Sequence, residues 1–434
     1  MYMRLSDLQA KMVVNIKDGK HLGTIIDAEV NDAGQILYFT VMVRHLFKRF
    51  FKSEPEVNIT INQGSPAVPD YAAIQNVIIQ NVLPALRVQN LVDFSAFDKN
   101  NDGHILPDEL HLLFVFAGTN WSNESQTEKI RGHHTWFPHD EYINGKILSS
   151  YSVVAEQNVK GNDLCNLGTI CHEIGHDLGL PDLYDTAPEQ SSFPNSQGIG
   201  DFGLMGGGSW THKDGEEDGS SPTHLCAYSK IRLGIVQPVV YQTGTEQNFT
   251  LRSFSHNTGY NVVQIPTQNS NEYFLIENRQ PQGFDAGLDE RRSGGIAIWH
   301  INTLYADEGN ICYGNRLVDI EEADEFERNG SSLDTGKYRR GIGSLYCWDV
   351  MPGNGSAFNP YTMPSTQLYS GNTAPFYLLV NSDSDLAMEV NISNRLNKGG
   401  AYRRPSGKYI ITSEQGYTMA MQQNNQGGIS FQSF

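Results

Sequence analysis

No stretch of this chain approaches the roughly 20 consecutive apolar residues that a membrane-crossing helix needs. The longest apolar run, near Leu110 to Ala117, is short enough to be a core element. The N-terminus, MYMRLSDLQAKM, has no apolar h-region, so no signal peptide is expected there. Cysteine is scarce. Five residues do not make a disulfide framework, and the odd number leaves at least one unpaired. Cys165 and Cys171 fall on one predicted helix with about 9 Å of rise between them, too far for a bridge. Basic residues are outnumbered, 31 Lys and Arg against 49 Asp and Glu, for a formal net charge of −18. That balance argues against a nucleic-acid partner or an anionic membrane surface. What is present, 434 residues of which 39% are hydrophobic, is enough core for two or three domains.

The chain's chemistry concentrates in Thr169 to Asp185, TICHEIGHDLGLPDLYD. His172 and His176 lie four apart, so on a helix their imidazoles share a face and can bind one zinc ion. Glu173 sits about 100° round the helix from His172. It borders the metal without having to ligate it, as a general base acting on water should. Leu164, Leu167, Cys171, Ile174 and Leu178 repeat at helical spacing and predict a buried apolar stripe opposite the histidines. Gly179 marks the helix end, and Pro181 pushes the chain into an extended return. Asp182 then arrives as an oxygen donor. Asp177 points about 100° away from His176, and Asp185 is better placed to bond the turn or support a ligand. Asp182 is therefore the expected third zinc ligand. The pattern H-E-x-x-H-x-x-G-x-x-D is similar to the elongated metzincin motif with Asp for the last His. Some twenty residues on, Gly203-Leu204-Met205-Gly206-Gly207-Gly208-Ser209-Trp210 resembles a metzincin Met-turn, with Met205 as an apolar floor under the histidines.

A second metal site is expected upstream. Asp98, Asn100, Asp102 and Glu109, with Gly103 at the sharp turn and the carbonyl of His104, match the spacing of a calcium loop. A single loop of this kind suits a structural ion. Residues 119–150 are rich in Trp, His and polar residues and could line a substrate cleft; without metal-type spacing, His133, His134, Trp136 and His139 are each expected on a surface loop. Glu277, Arg279 and Asp285 are expected to form a buried ionic network.

Residues 3–63 alternate short β-like runs (Met12–Ile16, Leu22–Val30, Ile36–Val43) with the turn signals Asp18-Gly19 and Asp32-Ala33-Gly34. The run MRLSDLQAKMVVNIKDGKHLGTIIDAEVNDAGQI resembles the PRC-barrel proteins of sporulating bacteria. Residues 70–92 have helical spacing and predict an amphipathic helix on the catalytic domain. HEIGHDLGLPDLYD, GLMGGGSW, SPTHLCAYSKIRLGIVQP and EYFLIENRQPQGFDAGLDERRSGGIAIWHIN, in that order, resemble the M6 metallopeptidases of the immune inhibitor A type. The resemblance implies a zinc endopeptidase, normally secreted, with calcium-supported structure. It matches His172, His176 and Asp182 to the zinc ligands, Glu173 to the base and Met205 to the turn methionine. Such proteins usually begin with a signal peptide and a propeptide, where this chain has its PRC-like segment.

The expected architecture is α+β. A PRC-barrel-like β module (1–63) precedes a metzincin-like catalytic region (64–245), a β-rich part (246–395) and a polar tail (396–434). The expected function is zinc-dependent hydrolysis of peptide bonds in proteins or peptides, by a monomer. The alternative is an inactive binding module stabilised by calcium and zinc.

Overall fold

The computed structural model describes residues 12–14, 21–30, 36–42, 71–89, 93–120, 129–158, 164–186, 197–256, 258–288, 294–306, 309–310, 316–323, 357–362 and 364–394, together with four strands between 401 and 433. By backbone proximity the chain divides into Met1–Asn62 and Gln63–Phe434. In the first unit, Met12–Val14, His21–Val30 and Ile36–Met42 form a three-stranded antiparallel sheet in sequence order. The turn signals between these strands and the junction after Ile61 lie outside the described residues.

In the second unit, Tyr71–Val77 and Leu83–Gln89 are α-helical, joined through a π-helical turn at Ile78–Val82. Ile74, Ile78 and Leu83 are buried from this stretch. They pack with Phe94, Ile105, Phe137, Leu148, Tyr151 and Val153 against a mixed sheet. Lys146–Gln157 is the centre of that sheet. It runs parallel to His104–Ile105 and Leu113–Asn120, and antiparallel to His133–Ile143. The antiparallel pair turns at Asn144-Gly145, with φ of 48° and 77°. Two successive positive φ values suit a tight hairpin whose twist matches its strands, and Asn-Gly is the pair that best tolerates them. His133, His134, Trp136 and His139 are therefore on a strand. The surface-loop expectation overlooked this Asn-Gly signal.

The C-terminal part is a sandwich. One sheet has five strands, Val318–Ile320, Gly295–Asn302, Glu272–Arg279, Val263–Pro266 and Val239–Val240, in that spatial order. The other has four, Gln247–Arg252, Ala387–Ser393, Tyr377–Val380 and Ala357–Phe358. Alternate residues of the central strands enter different cores. Leu275, Ala297, Trp299 and Ile301 face the glycine-rich turn and the short helix Ala227–Arg232. Phe274, Ile276, Ile296 and Ile298 face the second sheet. A strand covered on both faces has no solvent side to keep polar, which explains the near-continuous apolar run GIAIWHI.

Two buried polar clusters brace this region. Arg279 pairs with Asp285 and Glu277, and Glu277 also accepts from Lys230 Nζ at 2.9 Å and from Trp299 Nε1 at 2.9 Å. The sequence suggested Glu277, Arg279 and Asp285 and missed Lys230 and Trp299. In the second cluster, His300 lies between the rings of Phe274 and Tyr369, at 4.5 and 4.6 Å. Its Nε2 is 3.1 Å from Glu272 and its Nδ1 3.4 Å from Glu321. Burial opposes the charged ring, but these two carboxylates outweigh it and raise the His300 pKa to about 9. A raised folded-state pKa contributes stability that is whole below the unfolded value of about 6.5 and is lost as pH rises through about 9. The melting temperature is therefore expected to fall between pH 7 and 10 by more in the parent than in His300→Gln. Equal falls would show that this imidazolium does not contribute.

The segment expected to be a polar tail instead carries an antiparallel sheet of Ala401–Arg403, Lys408–Thr412, Thr418–Gln423 and Ile429–Ser433, each paired to the next. Its short runs, such as KYIIT and ISFQS, are too brief to lift a compositional reading.

Candidate metal centre

The helix Leu167–Asp177 begins at Asn166, whose side-chain oxygen accepts from the Thr169 amide at 2.7 Å. It ends in a Schellman turn: Gly179, at φ 86°, donates to His176 O at 2.8 Å, and Leu180 donates to Gly175 O at 3.0 Å. Of the expected apolar stripe, the leucines are exposed and Cys171 and Ile174 are only partly buried. Leu164, Leu167 and Leu178 are 53%, 51% and 45% exposed, and Leu164 and Cys165 precede the helix. The buried residues are Gly168, Thr169, His172, Glu173, Gly175 and Asp177. Close approach is the reason. A Cβ on Gly168 would lie 1.7 Å from Ser209 O, and one on Gly175 would lie 2.5 Å from Met205 Sδ. Glycines two turns apart let the helix meet the glycine-rich turn at backbone distance, where a leucine stripe would hold them apart. Gly168→Ala must displace the Ser209 backbone and should cost about 1–3 kcal/mol, as overpacking does. Leu167→Ala should stay within about 0.5 kcal/mol, as exposed sites do. Urea unfolding midpoints of the two variants check this, and an equal loss would mean the helix face is misjudged.

Three ligand atoms converge on the buried face. His172 Nε2 and His176 Nε2 are 3.2 Å apart, and Asp182 Oδ1 is 3.1 Å from the first and 3.2 Å from the second. Among the described residues this is the one group of three or more His, Cys, Asp or Glu whose ligand atoms lie within 4.8 Å of one another. Each histidine is oriented from behind. His172 Nδ1 donates to Leu204 O at 3.0 Å, and His176 Nδ1 to Leu180 O at 2.8 Å. With those nitrogens carrying the protons, both Nε2 atoms present lone pairs to each other. Asp182 Oδ1, though within ion-pair distance of both rings, is buried with no hydrogen-bond donor in proper geometry. Three bare acceptors at this spacing call for positive charge among them. Two ligands at about 2.0–2.1 Å from a tetrahedral zinc stand about 3.3 Å apart, so the triangle fits that ion. The titration tendencies agree. Burial works against charge at both groups, yet His172 and His176 together hold Asp182 well below the usual carboxylate range, and Asp182 in turn raises His176.

Glu173 is buried beside the triangle, and burial raises its carboxyl above the ordinary value against the pull of His172 and His176. Its Oε1 lies over Gly132, where a Cβ would come within 2.9 Å. Met205 is fully buried, its sulfur against Gly175, and its carbonyl accepts from the Leu183 amide at 2.8 Å. Asp177 turns away from the metal triangle. It accepts from Ser150 Oγ at 3.0 Å, lies 3.2 Å from His134 Nε2, and bonds His111 Nδ1. It thereby ties the helix to the sheet, in a contact no sequence spacing signals. Tyr184 stacks near His172, with ring centroids 6.2 Å apart. Burial and the neighbouring Asp182 charge raise its hydroxyl pKa.

The calcium-type loop has the expected backbone, with positive φ at Asn101 and Gly103. Its acidic groups are not gathered, however. Asp98 accepts from the amides of Asp102 and Gly103 at 3.1 Å and pairs with Lys146 Nζ at 2.6 Å. The Lys146 ammonium holds the Asp98 carboxyl below the usual range. Asp102 accepts from the His104 amide at 2.8 Å, and Asn100 from the Asp102 amide at 2.9 Å. Glu109 accepts from the amides of Lys99 and Leu106 at 2.8 and 3.3 Å.

Comparison with known proteins follows these residues. Residues 116–236 match the family Immune inhibitor A peptidase M6, catalytic domain, and residues 1–87 match the PRC-barrel domain. The second match runs past Asn62 into the helical stretch that packs on the mixed sheet. The chain is 29% identical to Immune inhibitor A of Bacillus thuringiensis subsp. alesti over 158 residues, 32% of this chain and 20% of that protein. It is 41% identical to the pre-pro-metalloprotease PrtV of Vibrio cholerae serotype O1 over 63 residues, 14% of this chain and 6% of that protein. The aligned region thus spans a fifth or less of these relatives. No solved structure matches. No helix among the described residues is long and apolar enough to cross a membrane. Residues 116–236, which contain His172, His176 and Asp182, thus match the catalytic domain of the M6, immune inhibitor A peptidases, in one chain with a PRC-barrel match at residues 1–87.

Proposed function

We propose that the chain is a zinc-dependent endopeptidase that hydrolyses peptide bonds in proteins, with His172, His176 and Asp182 as zinc ligands and Glu173 as general base. The observation that carries the reading is the triangle of His172 Nε2, His176 Nε2 and Asp182 Oδ1 with Glu173 buried beside it. Zinc, when bound, supplies a Lewis acid that polarises a carbonyl and makes water acidic near neutral pH. The protein's own groups do the rest. The carbonyls of Leu204 and Leu180 keep both imidazoles in the tautomer that offers Nε2. Asp182 contributes a negative charge that tempers the metal's acidity. Glu173 takes the proton of the attacking water and returns it to the leaving amine, a task its burial-raised affinity for protons suits. Met205 supports the helix under the ligands. Action outside the cell, as a monomer, belongs to the same proposal.

We further propose a structural calcium at Asp98, Asn100, Asp102, the His104 carbonyl and Glu109. The left-handed Asn101 and Gly103 support it, and the Lys146 contact on Asp98 must then yield. A calcium-dependent rise in melting temperature is expected, and it should vanish in Asp98→Ala with Asp102→Ala. An unchanged rise in that variant would remove the site.

A metal-stabilised binding module without turnover is the second reading, favoured by the short span shared with Immune inhibitor A. Casein hydrolysis with and without a zinc chelator separates the two. Chelator-sensitive cleavage supports the peptidase; absence of cleavage by zinc-loaded protein supports the binding module.

A further inference from the structure

The third ligand, Asp182, sits on a short return between Pro181 and Leu183, with neither helix nor strand to hold it. What fixes it comes from far along the chain. Asn310 donates its backbone amide to Asp182 O at 3.1 Å. Its side-chain Nδ2 donates to Leu183 O at 2.9 Å and to Val318 O at 2.8 Å, and its Oδ1 accepts from the Val318 amide at 3.1 Å. Both amide donors and the amide acceptor are thus engaged, and the residue is 2% exposed. Val318 begins the edge strand of the five-stranded sheet, so Asn310 fastens the ligand loop to that sheet. Gly309 completes the grip. Its φ is 75°, and a Cβ there would fall 2.3 Å from Asp182 O and 3.1 Å from Pro181 Cβ. On the other side Leu183 N donates to Met205 O at 2.8 Å, so the return is clamped between the methionine turn and Asn310.

Resting on the metallopeptidase reading, we infer that Asn310 is a positioning residue for the zinc site, acting through Asp182. A ligand from a loop must be held in place before the metal arrives, or binding must also bear the entropy of ordering it. His172 and His176 are ordered by their helix; Asp182 has no such frame. Partners behind a ligand typically change metal affinity 10–100-fold when removed. Asn310→Asp keeps the size and the acceptor for the Val318 amide but faces two carbonyls with oxygen instead of N–H. Gly309→Ala removes no hydrogen bond but pushes on Asp182 O.

The test is zinc affinity by competition with a chromophoric chelator, on the full chain, for Asn310→Asp and Gly309→Ala in the parent and in Asp182→Ala. Each variant is expected to weaken zinc 10–100-fold in the parent and by less than about 3-fold once Asp182 is gone, since coupling through a shared partner vanishes with that partner. Equal losses in both backgrounds, or no loss in the parent, overturn the inference. If neither variant folds, as judged by circular dichroism, the role is general structure and the inference is likewise overturned. Absence of zinc binding in the parent itself would instead remove the metallopeptidase reading beneath it.

Discussion

Glu173→Gln is expected to bind zinc as the parent does and to lose roughly 10²–10⁴-fold in turnover, the range that loss of a positioned base costs. Glutamine preserves volume, so the helix packing against Gly132 is unchanged, and the carboxylate is not among the three converging ligand atoms. What disappears is the capacity to accept a proton. The parent side chain is suited to that exchange because burial raises its carboxyl, while His172 and His176 pull the other way. Loss of kcat with KM unchanged would mark an interaction made in the transition state. Casein cleavage by the Gln variant at the parent rate would show that another group is the base.

The second large effect concerns Asp182. Asp182→Ala removes one of three ligand atoms and leaves two lone pairs 3.2 Å apart without their anionic partner. Zinc affinity should fall by more than the roughly 10–100-fold that loss of a supporting group costs. Asp182→His should retain the metal if the imidazole reaches from the same clamped return. Asp185→Ala should have the smaller effect, because Asp185 is not in the converging group. Full zinc affinity in Asp182→Ala, combined with loss in Asp185→Ala, would reverse the assignment.

What could be read from the sequence was what depends on neighbours in sequence. His172, Glu173 and His176 share one helix, and Gly179 and Pro181 turn the chain back within six residues, so spacing alone brought three ligand candidates into view. The β-rich character of 246–395 was visible because burial on both faces makes runs such as YFLIE and GIAIWHI apolar. Residues that act across the fold left no such signature. Leu204 orients His172 through a carbonyl that every residue type possesses. Asn310 reaches Leu183 across 127 positions, from a segment that reads as polar loop. Asp177 bonds His111, His134 and Ser150, which come from three other segments, a set that no spacing signals.

The helix face was misread for a physical reason. Hydrophobic periodicity finds the core side only when the core is made of large side chains. Here the buried side is glycine against backbone at Gly168 and sulfur against glycine at Gly175. The apolar stripe of Leu164, Leu167 and Leu178 is consequently the outer one. Asn144-Gly145 is a hairpin signal, but the strand before it is rich in His and charged residues and carries no apolar alternation to accompany it.

X-ray absorption at the zinc edge, on the full chain loaded with one equivalent of zinc, tests the central claim most directly. Two imidazole nitrogens at about 2.0–2.1 Å and oxygen at about 2.0–2.2 Å are predicted, with four ligands in all. One imidazole should be lost from that signal in His172→Ala and one in His176→Ala. Sulfur ligation at about 2.3 Å, or an imidazole signal unchanged by both substitutions, would contradict the site.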